Sequence, residues 1–133
     1  MSRGLDTFDA FSWASLLAGK DVLVCDVDER RAFRMSDALE EAGARATIAG
    51  SQRTAIDRLA RRSFAISVVA LPEGMDLERN LAVGLESSGT RLVILAAPGM
   101  EEATAAAHPA ATVLRLTLSP RQLVMSITGT ADE

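Results

Sequence analysis

Residues 64–71 read FAISVVAL and run straight into Pro72-Glu73-Gly74. Within that stretch Ser67 is the only polar side chain. A strand with one wet face would alternate polar and apolar residues. This run does not alternate, so both of its faces are expected to be covered. Proline cannot donate to a ladder and glycine admits turn conformations, so the strand is expected to stop at Leu71. Strands that are dry on both faces belong to parallel sheets, because crossover helices then lie on either side.

Working outward, short apolar runs recur at Val22–Cys25, Ala46–Ala49, Leu92–Leu95 and Val113–Leu116. Segments of helical periodicity separate them. Asp28 is placed to cap a helix running to about Ala42, with Ala32, Met35, Leu39 and Ala42 on one stripe, Phe33 and Ala38 widening it, and Gly43 as the stop. Ser51 caps a second helix carrying Ala55, Ile56, Leu59 and Ala60. A weaker helix is predicted over about 77–86 and an alanine-rich one near 101–107. Ser119-Pro120 supplies a capping hydroxyl and an N1 proline before a last helix with Leu123, Val124 and Ile127. Five β/α units with right-handed crossovers give a doubly wound, flavodoxin-like α/β fold. The expected five-stranded parallel sheet has the order 2-1-3-4-5. In such a sheet chemistry sits beyond the carboxyl ends of the first and third strands.

Composition bounds the rest. A chain of 133 residues suits one core, and 48% hydrophobic residues argues against disorder. Aromatics are 4% and Tyr is absent, so the core must be aliphatic. A net charge of −4 argues against nucleic-acid binding. No apolar run reaches membrane-spanning length and no leader precedes the first unit, so a soluble cytoplasmic protein, or a soluble piece of a larger one, is expected. Residues 1–19 hold Phe8, Phe11, Trp13, Leu16 and Leu17 and end in Gly19. They read as an amphipathic segment, either a helix docked on the domain at 20–133 or a linker. Cys25 lies within an apolar strand, and His108 precedes a proline without metal-ligand neighbours. There is no phosphate-cradling GxxxxGK, no GxGxxG after a strand and no HExxH. No catalytic residue, cofactor or metal is expected, and the protein is not expected to be an enzyme.

The phrases DVLVCDVDERRAF (21–33), SVVALPEGMD (67–76), LVILAAPG (92–99) and RLTLSPRQLV (115–124) follow one another in an order that resembles the CheY-like receiver domain of response regulators. The resemblance covers about Lys20 to Thr128. It implies a phosphorylation site: an aspartate on the third strand that attacks a phosphoryl group, a divalent cation held by an adjacent acidic pair, and a hydroxyl and a lysine on the phosphoryl oxygens. Four residues before the proline, the acceptor position would be Val68. The acidic pair would be Asp26 and Val27, with Asp28 one residue on and sufficiently explained as a helix cap. The hydroxyl position is Ala96, the lysine position Leu116 and the reporting aromatic Val113. Lys20 is the only lysine in the chain, and it precedes the first strand. The resemblance therefore implies a degenerate pseudo-receiver.

Two functions follow from it. One is contact with a protein partner, such as a histidine kinase, a phosphotransfer domain or an output domain, or with a second copy as a homodimer. The face of the fourth helix, fifth strand and fifth helix would include Glu101, Glu102, Val113, Arg115, Arg121 and Gln122. The other is sensing of an anionic small ligand such as a cyclic dinucleotide by the arginines at 30, 31, 34, 45, 53, 58, 61 and 62. The same arginines also read simply as solvated helix faces.

Overall fold

The structure, a computed structural model, describes residues 13–129. Phe8 and Phe11 lie outside the described residues. The elements are β1 (Asp21–Cys25), α1 (Glu29–Glu41), β2 (Arg45–Ala49), α2 (Gln52–Arg61), β3 (Ile66–Leu71), α3 (Arg79–Ser88), β4 (Arg91–Ala96), α4 (Glu101–Ala107), β5 (Thr112–Arg115) and α5 (Pro120–Thr128). All strand pairs are parallel, and the sheet runs β2-β1-β3-β4-β5, as the repeated β/α pattern predicts. All six residues of β3 are buried, which accounts for the missing alternation in its sequence.

The sheet separates two aliphatic half-cores. Val22, Val24, Val68, Ala70, Val93 and Leu95 face α1 and α5, where Met35, Leu39, Leu123 and Val124 meet them. Leu23, Cys25, Val69, Leu71 and Ile94 face the opposite way, toward Ala55, Phe64, Leu81 and Leu85. Side chains alternate across a strand, so this division follows directly from residue parity.

The predicted caps form. Asp28 accepts from the Arg31 amide, Ser51 from the Thr54 amide, and Ser119 closes a capping box with Gln122. Two expected core positions are not buried. Phe33 is 62% exposed, and Ala60 is exposed. The Asp28 cap sets the phase of α1. Phe33 then lies about 100° round the helix from Ala32, outside the buried arc.

Part of the N-terminal segment packs on the sheet layer. Leu17 is buried, and its amide donates to the Ala42 carbonyl at 2.7 Å. Gly43 has φ +100°, and a Cβ there would lie 2.7 Å from the Ala14 carbonyl oxygen. Glycine is thus required both by the turn and by that close approach. Trp13 packs against the first half-core beneath the Arg121 guanidinium, which sits 4.4 Å from its ring centroid.

Gln52 opens α2 and is buried. Its Nε2 donates to the Asp76 carbonyl at 2.8 Å, and its Oε1 accepts from the Glu78 amide at 2.7 Å. This clasp fixes the loop between β3 and α3 at the carboxyl edge of the sheet. Gln52→Ala strips two backbone groups of their partners and should cost about 1–3 kcal/mol. Urea unfolding measures the loss. Among the described residues no helix is long and apolar enough to cross a membrane.

Candidate functional site

The carboxyl edge of the sheet is built around the end of β1. The Asp26 amide donates to the Ala49 carbonyl at 3.0 Å, which carries the β1–β2 ladder one residue past Cys25. Parity puts the Asp26 side chain on the same face as Val22 and Val24, toward α1.

The register sets the depth of Val68 in the sheet. Val24, Val68 and Val93 form one row across β1, β3 and β4. Val68 is therefore in mid-strand, two residues short of the edge and fully buried. The β3 residue level with Asp26 and on its face is Ala70, with Leu95 opposite it on β4. Counting back from Pro72 lands in mid-strand because β3 continues to Leu71 and meets the proline without an intervening loop. The corner is aliphatic at the edge as well, since Ala70 is 2% exposed and carries no nucleophile.

Ala96 ends β4 opposite Leu71, and the Leu116 amide donates to the Ala96 carbonyl at 2.8 Å just past β5. Leu116 packs against the half-core of Ala70, whereas Ala96 has the parity of Ile94 and Leu71 and belongs to the other face; neither residue supplies a hydroxyl or an amine. Val113 sits lower, opposite Ile94, half-buried against the second half-core. Val27 is 50% exposed and turns away from the corner.

A residue that sequence reasoning left among surface arginines fills the corner. Arg31 donates from Nε to Asp26 Oδ2 at 2.6 Å and from Nη2 to Asp26 Oδ1 at 2.7 Å. Asp26 Oδ1 also accepts from the Asp28 amide at 2.9 Å. The Asp26 side chain is fully buried while that of Arg31 is 21% exposed. The fork of donors matches the carboxylate plane, the geometry in which Arg–carboxylate pairs are strongest. The Asp26 carboxylate raises the Arg31 pKa above its already high ordinary value. The Arg31 amide, bonded to Asp28 Oδ1 at 3.0 Å, holds the exposed Asp28 carboxyl below the ordinary range. The legible signal was the Asp28 cap. It makes residue 31 the third helical residue, from which a long side chain can fold back over the β1–α1 loop. Arg34, one turn further along α1, lines the same cavity as Arg31 together with Leu116, while Arg30 is exposed.

The divalent cation implied by the resemblance does not fit these residues. Both Asp26 oxygens are already engaged, and Val27 offers no ligand. Among the described residues no group of three His, Cys, Asp or Glu side chains stands close enough to hold a metal ion. Cys25, directly before Asp26, has its thiol pushed up to about 12, chiefly by burial and then by the Asp26 charge. At neutral pH it is protonated and a poor nucleophile.

On the face of α4, β5 and α5, Glu101 and Arg115 approach to 3.7 Å, and Glu102 is exposed. Gln122 is engaged by the Ser119 capping box and Arg121 by Trp13. The face therefore presents mainly Glu101, Glu102 and Arg115. The arginines read as an anion site are also largely paired. Arg45 and Arg62 each reach Asp21 at 2.9 Å, Arg61 reaches Asp57 at 3.1 Å, and Arg31 holds Asp26.

No protein-family model and no curated protein sequence matches the chain. Solved structures do match. A response-regulator receiver domain from Methanospirillum hungatei superposes with a TM-score of 0.71 at 16% identity, covering 83% of this chain and 91% of its own. A Francisella response-regulator receiver domain gives 0.67 at 20% identity, covering 84% and 96%. A sensor protein from Polaromonas gives 0.68 at 22% identity, covering 84% and 95%. Described residues 13–129, with their 2-1-3-4-5 sheet and flanking helices, thus have the fold of the CheY-like response-regulator receiver domains.

Proposed function

We propose that this chain is a receiver-like module of two-component signalling that is not phosphorylated and acts by contact with a protein partner. The supporting observation is the corner at the carboxyl edge. Ala70 stands beside Asp26, Leu116 packs against the same half-core, Ala96 ends β4 without a hydroxyl, and Arg31 already neutralises the buried carboxylate. Phosphoryl transfer needs a nucleophile and positive charge free to meet the phosphoryl oxygens. Ala70 carries no nucleophile, and the Arg31 guanidinium is engaged by Asp26. The partner is a kinase, a phosphotransfer domain or an output domain, the module works in the cytoplasm, and it is not an enzyme.

The test is incubation with magnesium and acetyl phosphate, followed by intact mass, and in parallel addition of beryllofluoride under amide NMR. No mass gain and no shift at Asp26, Ala70 or Ala96 are expected. A stable phosphoryl adduct on any aspartate overturns the reading.

A further inference from the structure

We infer that Arg31 is the resident counter-ion of Asp26, so that the corner is charge-complete and insensitive to divalent cations. A carboxylate with no exposed side-chain surface must be paired or must give up its charge. Here the compensation comes from within the chain. Two donors of one guanidinium meet the two oxygens at 2.6 and 2.7 Å, and the Asp28 amide adds a third bond at 2.9 Å. The Arg31 backbone amide is in turn held by Asp28 Oδ1 at 3.0 Å, which ties the residue to the loop. Arg31 Nη1 stands 3.8 Å from Asp28 Oδ2, so its guanidinium faces both acids of the loop, and Arg34 adds to the field on Asp28. Bringing a divalent ion to these carboxylates would require expelling Arg31, whose donors already occupy both Asp26 oxygens. Arg31 is thus a positioning residue. It sets the β1–α1 loop and occupies the charge that the two acids would otherwise offer to an external ion.

This inference concerns the same corner as the proposed function but fails separately. Absence of phosphorylation tests Ala70 and its neighbours, whereas a cation response tests Arg31. Thermal unfolding is compared in magnesium chloride and in sodium chloride of equal ionic strength for the wild type, Arg31→Met, Arg31→Gln and the double variant Asp26→Asn with Arg31→Met. The wild type should melt at the same temperature in both salts. Arg31→Met should melt lower in sodium chloride and regain about 3 °C or more in 10 mM magnesium, the shift a millimolar site gives in a domain of this size. Arg31→Gln, which keeps donors but no charge, should show the same magnesium-specific gain. The double variant should show none. If Arg31→Met does not fold in sodium chloride, Arg31→Gln carries the comparison. A wild type that responds to magnesium, or two Arg31 variants that do not, overturns the inference.

Discussion

Ala70→Asp should destabilise the fold by about 3–5 kcal/mol and should still yield no phosphorylated protein. The new carboxylate would enter a position 2% exposed, beside the buried Asp26 and opposite Leu95. Two carboxylates at that distance repel unless a cation lies between them, and Arg31 already gives its two well-placed donors to Asp26. The side chain is therefore expected to take a proton or to open the corner, and either response costs several kcal/mol. Nor can it be turned into an acceptor, since Ala96 and Leu116 provide no hydroxyl or amine for the phosphoryl oxygens. Urea unfolding and intact mass after acetyl phosphate treatment read the two outcomes. Val68→Asp, one row deeper between Val24 and Val93, should cost more still, since both of its cross-strand neighbours are valines. The order of the two losses checks the register. Unchanged stability in Ala70→Asp would mean that the corner is open to water.

Asp26→Ala, at a buried position on the carboxyl edge of the sheet, should cost about 2–4 kcal/mol. It removes the partner of a partly buried guanidinium and the acceptor of the Asp28 amide at one stroke. Breaking such a pair costs more than the pair itself contributes, because the remaining charge is left behind. The 21% exposure of Arg31 keeps the figure below that of a fully enclosed ion pair, since its side chain can turn toward solvent. Asp26→Asn keeps an acceptor for Asp28 and should lose less. Hydrogen exchange gives a local reading. Protection of the Asp28 and Arg31 amides should fall in Asp26→Ala while the amides of β3 follow only the global loss.

The corner shows where reading a sequence reaches its limit. Helix phase was legible in part. Asp28, Ser51 and Ser119 could be named as caps because short polar side chains at those positions satisfy the free amides of a helix start. Periodicity puts Phe33 on the core stripe because it does not reveal where the buried arc ends, and the protein exposes it. Gln52 passed unnoticed. Its two bonds go to residues more than twenty positions away, and nothing local distinguishes a buried glutamine from a solvated one. The depth of Val68 below Asp26 is hidden for a similar reason. The proline marks the end of β3 but says nothing of how far the strand extends before it.

Sequence alone determined the parallel sheet, its order and the absence of ionisable groups along β3, because these rest on residue type and short-range periodicity. FAISVVAL can be dry on both faces only if helices cover both. Tertiary structure alone decided that Ala70 rather than Val68 stands beside Asp26, and that Arg31, of three arginines within five residues, closes over it. Register is fixed by hydrogen bonds between strands distant in the chain, and the choice of ion pair by where the turn of a helix carries each side chain. Neither is written in the order of the residues.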